Sequence, residues 1–594
     1  MFVSFINMSQ FFVSSDKVKT GQVFVAVPSE NGLDYRPGGR IDLYIPPTSK
    51  FIDLSQTKLK MNVSISLPTG ALNSKNARLQ LDAQTGLHSL IRSVRVFTGR
   101  KTALLEEIEG YDVLTALRFD YETNKNLENK RVLTDGATGY DPASRGTQGT
   151  TKTPQGNCFS NPYFTKIEDN TTLTASFTAA STNDFQVVSG ELELNTGVFR
   201  NDAVFPALLT DGLFIEILLQ DSTKVFRQLD STIKDRRLGL NPVWHSTNGS
   251  DTASLTSGSL KNGSEIGAFY VTRDNNQTSL STFPFVVGQE IGLVTPDNVT
   301  LNGSTAHITQ IEQVSGVAYG TSKTKITLDG NIKNSLGGTI PNTIKPAVIS
   351  RSVEESTTYQ PTYTVSNVEM VVAQITVPDG YEASMMAMMK EGGTMNYDYR
   401  SFTNYRYSQV KSDLVANIRL PLIESRATAI LCVPTDATVY SAKQALSASA
   451  TYLIDNESGD VVNRSARSGL VGIADELQNY QLQYDGKLNP SRRVDVTKIS
   501  SRESISQQWA IEAEKALAMA DIEPLSFRAF RDNFFLGRAL ALGRNSVYDA
   551  RGKDFSLQVE YTGTASPAHN HLWMCYCAHV RRMVIKQGGL SVEV

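Results

Sequence analysis

At 594 residues the chain is too long for one ordinary domain; length alone suggests three or four domains, or two large ones with an insertion. Hydrophobic residues make up 40% and charged residues 20%, which allows real cores and excludes wholesale disorder. The formal net charge of −3 excludes a chain that coats nucleic acid, which would carry a strong positive excess.

Four cysteines, Cys158, Cys432, Cys575 and Cys577, are far too few for a disulfide scaffold of this size and fit folding in a reducing compartment. Asn-X-Ser/Thr triplets such as those at Asn170 and Asn298 are expected by chance in a chain this rich in those residues. No stretch approaches ~18 uninterrupted apolar residues, so no transmembrane helix is predicted. The apolar start MFVSFINMSQFFVSS lacks a basic region and a small-residue cleavage site; it reads as a docking arm and not as a signal peptide.

In chain order, strands dominate. IDLYIPP (41–47) comes first, then TKLKMNVSISL (57–67), where Leu59, Met61, Val63, Ile65 and Leu67 alternate with polar residues at the period of a half-buried strand. LIRSVRVFTG (90–99) repeats the pattern, with Val94 and Val96 inside and Arg92 and Arg95 among the polar positions. EGYDVLTALRFDYE (109–122) sets Tyr111, Leu114, Leu117 and Tyr121 on one helical face. Residues 133–180 read as a long Gly/Thr/Ser/Asn-rich loop, and strands resume at 185–194 and 211–220.

From about 245 to 350 Gly, Ser, Thr and Asn rise. Strand candidates at 283–295, 307–316 and 325–330 are punctuated by Asn302-Gly303 and Asp329-Gly330, which read as turns. This segment is expected to be an inserted β-rich module, with long coreless excursions as the alternative. A strand at 363–377, a helix at 381–392, strands at 401–410 and 425–436 and a hairpin over 481–499 follow. In the helix predicted over 504–520, Ile505, Trp509, Ala513, Ala516, Leu517 and Ala520 share a face. Strands at 555–563 and 572–585 close the chain. Near 90–122 and again near 481–520, a strand pair is followed by one amphipathic helix, so two similar architectures stand in tandem.

The motifs of phosphate-cradling loops, zinc proteases and serine hydrolases are missing. Six histidines are few for acid–base chemistry, and His88, His245 and His307 read as surface or satisfied interior residues. HNHLWMCYCAHV (569–580) puts His571, Trp573, Cys575, Cys577 and His579 on one face of a strand. Thiolate and imidazole suit zinc, but ligands two apart on a strand lie ~6.5–7 Å apart, too far to share an ion without a bend. A core strand is the expectation, and Cys575 and Cys577 are out of reach of one another for a disulfide. The doublets Arg236-Arg237, Arg492-Arg493 and Arg581-Arg582 lack interleaved aromatics, so a solvated or inter-subunit role is expected over a genome-facing one. No catalytic, cofactor-binding or metal site is assigned.

GGRIDLYIPPTSKFIDLSQTKLKMNVSI resembles the opening strands of the double jelly-roll major capsid proteins of Polinton-like viruses, adintoviruses and virophages, through Phe51-Ile52-Asp53-Leu54-Ser55, Thr57 and Leu59. In GLHSLIRSVRVFTGRK (86–101), Leu87-His88-Ser89-Leu90 match a second family segment, while Ile91 and Arg92 depart from its usual aromatic. YDVLTALRFDYETN resembles the family's tyrosine-rich helix, 199–219 a leucine-rich edge strand, 401–437 the junction into the second roll, and the stretch from Gly552 to Ile585 its last two strands. The likeness touches about half of the chain and is carried by the order and spacing of its motifs.

The resemblance implies an all-β fold: two tandem eight-stranded antiparallel jelly rolls with short helices and a β-rich insertion in the first roll. The implied divisions are an N-terminal arm (1–30), a first roll (31–244 and 351–410), an inserted tower module (245–350) and a second roll (411–594). It implies a non-enzymatic major capsid protein, without cofactors, in the virion shell, made and assembled inside a host cell. Expected partners are further copies of the chain as a homotrimer, neighbouring capsomers, and minor capsid and penton proteins. No sequence-specific nucleic acid binding is expected. Contact of the 245–350 module with a host surface stays open. The resemblance would put Phe2, Phe5, Phe11 and Phe12 at the capsomer base, against minor proteins, neighbouring trimers or an internal membrane, with a free tail as the alternative. Two other readings remain: a carbohydrate-binding or adhesive β-sandwich protein of the fibre or lectin kind, whose scattered Trp244, Trp509 and Trp573 count against it, and a β-sandwich glycoside hydrolase, for which no stretch nominates a carboxylate pair.

Overall fold

The structure is a computed structural model that describes residues 21–66, 78–82, 85–122, 130–131, 134–135, 188–225, 227–234, 265–272, 290–294, 301–314, 323–333, 345–348, 352–355, 362–441, 469–475, 477–484, 486–496, 506–525, 533–543, 546–561, 569–586 and 589–593. The first half supplies β1 (Gly21–Pro28), β2 (Arg40–Ile45), β3 (Phe51–Ser66), β4 (Ile91–Thr98), β5 (Leu104–Glu109), α1 (Tyr111–Glu122), β6 (Val188–Leu192) and β7 (Leu213–Leu219). An insertion follows, with β8 (Glu265–Thr272), β9 (Glu290–Val294), β10 (Leu301–Val314), β11 (Lys323–Lys333) and β12 (Lys345–Val348). Then β13 (Thr362–Thr376) returns to the first body, and α2 (Asp379–Lys390) leads out of it.

The main strands form two antiparallel sheets, ordered β1-β13-β3-β6 and β2-β7-β4-β5. Counted along the chain as strands one to eight, with the insertion left out, the orders are 1-8-3-6 and 2-7-4-5. That is a jelly roll, two facing sheets threaded by two Greek keys.

The second half repeats it. Its strands are β14 (Met395–Gln409), β15 (Val415–Leu420), β16 (Ala427–Asp436), β17 (Leu477–Tyr484), β18 (Lys487–Asp495), β19 (Leu536–Ala539), β20 (Phe555–Tyr561) and β21 (His571–Lys586), with α3 (Gln507–Met519) between β18 and β19 and β22 (Gly589–Glu593) added beside β21. The sheets run β14-β21-β16-β19 and β15-β20-β17-β18, again 1-8-3-6 and 2-7-4-5. The expected double jelly roll is therefore present, and α1 and α3 occupy the same slot in the two rolls.

Alternation explains the cores. On β3, Leu59, Met61 and Val63 are fully buried between half-buried Lys58, Lys60 and Asn62, and Val94 and Val96 are buried on β4. Leu67 lies outside the described residues. Trp509, Ala513, Ala516, Leu517 and Ala520 are all buried, as the periodicity of the 504–520 segment predicts; Ile505 is outside the described set.

Several boundaries differ from the sequence reading. Gly21–Pro28, inside the expected arm, is the first strand of the first roll, paired with β13 from Gly21 opposite Thr376 to Pro28 opposite Glu369. Residues 1–20 lie outside the described residues, as does all of the 133–180 loop but Thr134 and Asp135. The passage between rolls falls at α2, before β14, so residues 395–409 belong to the second roll and not, as expected from a boundary at 410, to the first. Insertion strands β8 to β12 form one five-stranded sheet, ordered β8-β11-β10-β9-β12, that among the described residues pairs only within itself. Asn302-Gly303 and Asp329-Gly330, expected as turns, lie within β10 and β11, where the ladders slip register. An extra residue in one strand of a pair makes a bulge, which uses the same Gly and Asp chemistry as a turn.

Candidate functional site

The residues singled out for metal chemistry fall into separate environments. His571 Nε2 lies 3.1 Å from Asp475 Oδ2, and its Nδ1 lies 3.1 Å from the Tyr561 hydroxyl. Trp573 donates from Nε1 to Gln409 Oε1 at 2.8 Å. Cys575 sits opposite Cys432 in the ladder, and burial pushes the Cys432 thiol well up, with Cys575 adding to the shift. Cys577 and His579 approach Glu424, and their ligand atoms lie within 4.8 Å of one another. The protein's own groups fill that cluster. Tyr405 and the Ile423 amide donate to Glu424, at 3.1 and 3.0 Å. Arg581 Nε stands 3.0 Å from His579 Nε2, placing a cation where an ion would bind, while His579 Nδ1 meets the Cys577 carbonyl at 3.1 Å. Burial, helped by Arg581, lowers His579 to about 4, and burial raises the Cys577 thiol well above its ordinary value. The Cys577 thiol and the His579 imidazole thus lie buried together, with the Arg581 guanidinium beside the ring.

His88 is an interior histidine: Nδ1 lies 2.9 Å from the Tyr111 hydroxyl, Nε2 makes no hydrogen bond and lies 3.6 Å from Asp135 Oδ2, and the ring stands edge-on to Phe119 at 5.2 Å. His307 lies partly exposed beside Asp329 at 3.1 Å, and His245 is outside the described residues. A cleft of about 320 Å³ beside α1 is lined by Glu122, Lys130, Asp135, Glu193 and Arg200 among others. Of its acids, Glu193 meets Lys130 at 2.7 Å and Glu122 meets Arg200 at 3.4 Å, while Asp135 accepts from the Thr134 hydroxyl at 2.7 Å.

The extensive polar construction lies between the rolls, where β5, α1 and the 195–205 segment of the first roll meet β14, β21, Asp521 and Asn533 of the second. β5 is an edge strand, and edge backbone groups need partners. Here side chains of the other roll supply them: Arg581 donates to the Leu105 carbonyl at 2.9 Å, as does the Tyr399 hydroxyl, and Tyr576 donates to the Gly110 carbonyl at 2.7 Å. Gly110 has φ +66°, and a Cβ there would stand 2.9 Å from Tyr576 Oη. Gly197 lets the backbones touch, since a Cβ would fall 1.7 Å from the Arg400 carbonyl oxygen.

Glu106 is fully buried and accepts the Gly197 and Val198 amides at 2.8 and 2.9 Å. Burial raises its pKa, and the nearby Arg581 opposes that shift. Tyr397 donates to the Val204 carbonyl at 2.7 Å, and Arg406 faces Glu109 at 3.4 Å. From α1, Arg118 donates to the Asp521 carbonyl at 3.1 Å and Tyr121 to that of Asn533 at 2.9 Å. Asn533 donates to Asp120 at 2.8 Å. Burial, followed by the charge of Arg200, brings Arg118 down to about 10. These contacts explain why α1 is buried nearly all round, with Asp112, Thr115 and Asp120 covered as well as its apolar face.

Of the doublets, Arg581-Arg582 lies on this seam: Arg581 crosses it, while Arg582 holds Asp398 in a fork at 2.7 and 3.0 Å. Arg492-Arg493 lies exposed on β18, and Arg236-Arg237 is outside the described residues. Glu106, Tyr397 and Tyr399 were missed in sequence. A glutamate in the middle of the strand LLEEIE and tyrosines alternating through MNYDYRSF were the available signals.

No protein-family model matches the chain, and neither does any curated protein. Among solved structures, the Faustovirus major capsid protein is similar, with 8% identity over 95% of this chain and 90% of its own and a TM-score of 0.46. The PBCV-1 virus capsid chain is 10% identical over 97% of each chain, with a TM-score of 0.42. The mavirus major capsid protein is 8% identical over 100% of this chain and 96% of its own, with a TM-score of 0.35.

Proposed function

We propose that this chain is the major capsid protein of an icosahedral virus, assembling as a trimer whose six rolls form a pseudo-hexagonal block. One observation carries the reading: the 1-8-3-6 and 2-7-4-5 strand orders occur twice in one chain. Two such wedges, joined along a polar, buried seam instead of a loose linker, make a rigid building block. The chain then acts by self-association in the virion shell, with minor capsid and penton proteins as further partners. The insertion is the outward tower and the surface open to a host. No reaction is assigned to it.

The sugar-binding reading needs exposed aromatic platforms. Trp509 and Trp573 are fully buried, and Trp509 donates its indole N–H to the Phe535 carbonyl at 2.8 Å inside the core. Light scattering of the purified chain, followed by negative-stain imaging, tests the capsid reading. The expected mass is three times 65.1 kDa, with hexagonal outlines. A chain that stays monomeric at high concentration and shows no such outlines refutes it.

A further inference from the structure

Asp475 lies between two histidines of one short segment. Its Oδ1 stands 3.3 Å from His569 Nδ1, and its Oδ2 stands 3.1 Å from His571 Nε2. Distant parts of the second roll meet here: His571 opens β21, His569 comes just before it, and Asp475 comes just before β17. The His569 amide donates to Asp475 Oδ2 at 3.0 Å and helps to fix the carboxylate in place. Ligand atoms that share one ion through bonds of ~2.0–2.2 Å stand roughly 3–3.4 Å apart, so both spacings suit a coordinated pair.

The surrounding hydrogen bonds aim lone pairs inward. Gln409 Oε1 accepts the Trp573 indole N–H at 2.8 Å and the Tyr561 hydroxyl at 3.4 Å. With its hydrogen committed there, the Tyr561 oxygen accepts from His571 Nδ1 at 3.1 Å. His571 then carries its proton on Nδ1, and its Nε2 lone pair faces the Asp475 carboxylate. That nitrogen is buried, in a residue only 1% exposed, and has no well-aligned hydrogen bond. Two acceptors held this close in a core call for a cation between them. On the far side of His569, Asp436 Oδ2 stands 3.9 Å from Nε2, where a carboxylate favours the proton on Nε2 and turns the Nδ1 lone pair toward Asp475. Of the charges acting on His569, Asp475 and Asp436 are negative and Lys411 is positive, so the balance favours a cation.

We propose that Asp475, His569 and His571 hold a divalent transition-metal ion of the zinc kind, with Asp436 and Tyr561 orienting the two rings. Two imidazoles and one carboxylate suit such an ion better than calcium or magnesium, which take oxygen ligands. The Asp475 side chain is 7% exposed and that of His569 25%, so the ion enters past His569. The two histidines stand on opposite oxygens of Asp475, and a turn of the His569 ring closes the set around the ion, with water completing the coordination. The bound ion clamps the end of the 437–476 connection to the end of the 562–570 connection, where β16, β17 and β21 meet. In the metal-free chain, protons on the histidines take the ion's place. The proposal goes beyond the capsid reading and does not depend on it.

The test takes the full chain, stripped of metal by a chelator, and adds Zn²⁺ alone. Calorimetry is expected to show saturable uptake of one Zn²⁺ per chain. His569→Ala and Asp436→Asn are each expected to weaken it by about tenfold or more. His307→Ala, which removes the partly exposed histidine beside Asp329, is expected to bind as the wild type does. All four chains are expected to share one circular dichroism spectrum. A measurement on the wild type alone guards against misfolded variants: Zn²⁺ is expected to shield His569 from diethyl pyrocarbonate and to leave His307 reactive, as read by peptide mass. No saturable Zn²⁺ uptake, a folded His569→Ala chain that binds as tightly as the wild type, or equal modification of His569 with and without Zn²⁺ overturns the proposal.

Discussion

Gly110 carries two constraints at once. Its φ of +66° suits glycine, and a Cβ would press on the Tyr576 hydroxyl across the seam. Gly552 has a similar φ of +70° in open space. Gly110→Ala is therefore expected to cost ~2–4 kcal/mol and Gly552→Ala ~1 kcal/mol, compared through urea midpoints. Equal costs would show that Tyr576 yields freely. A second residue-scale prediction concerns Asp475, which accepts the His569 amide at 3.0 Å and faces the rings of His569 and His571. Asp475 is partly desolvated, yet the hydrogen bonds from His569 and His571 hold it well below the carboxylate range. His569 is raised, chiefly by its hydrogen bond to Asp475, with Asp436 assisting and Lys411 opposing. The histidine's contribution is full below its unfolded value of ~6.5 and is lost as pH rises through its higher folded value. The aspartate's is full above ~4 and is lost as pH falls toward its depressed folded value. Stability from this cluster thus peaks between about pH 4 and 6.5. Asp475→Asn is expected to lower stability there by about 2 kcal/mol and to flatten the melting temperature against pH; a parallel wild-type curve would refute the assignment.

At the scale of elements, legibility followed periodicity. β3 and β4 show long alternation and lie where the pattern puts them, while β21 is a near-continuous apolar run, buried at every residue from Trp573 to His579. Leu59→Ala should cost ~2–5 kcal/mol through the cavity it leaves, while Lys58→Ala should stay within ~0.5 kcal/mol; chemical denaturation distinguishes them. β19, four residues long, gives no period to read, and β5 runs straight into α1, so both were missed. Gly-containing pairs could not be sorted into turns and bulges, because the local chemistry is the same and only the partner strand decides. α1 was legible as a helix but not as one buried all round, since its second neighbour lies about 400 residues further along the chain.

At the scale of the molecule, the tandem architecture was visible as a strand pair followed by a helix, twice, whereas the seam was not, because no local pattern reports a contact between distant segments. Glu424 and Arg581, which stand beside Cys577 and His579, are groups that sequence spacing cannot bring in. Among the described residues the insertion sheet pairs only with itself. Replacing residues 265–348 by a short linker should therefore leave the thermal melt of the two rolls within a few degrees of wild type and leave assembly intact, as measured by calorimetry and light scattering. Loss of folding would make the insertion part of the first roll's core.

The pairing of β1 with β13 sets Val23 opposite Gln374, so about 350 residues separate the two partners. Translation at ~5–20 residues per second makes that a wait of roughly 20–70 s. Throughout it the nascent first roll holds β1 and β3 without the strand that joins them, two open edges on a growing chain. The first roll is the last to gain its joining strand relative to its own start, and the cell must keep those edges apart from their counterparts on neighbouring polysomes. That interval is the point at which aggregation competes most directly with folding.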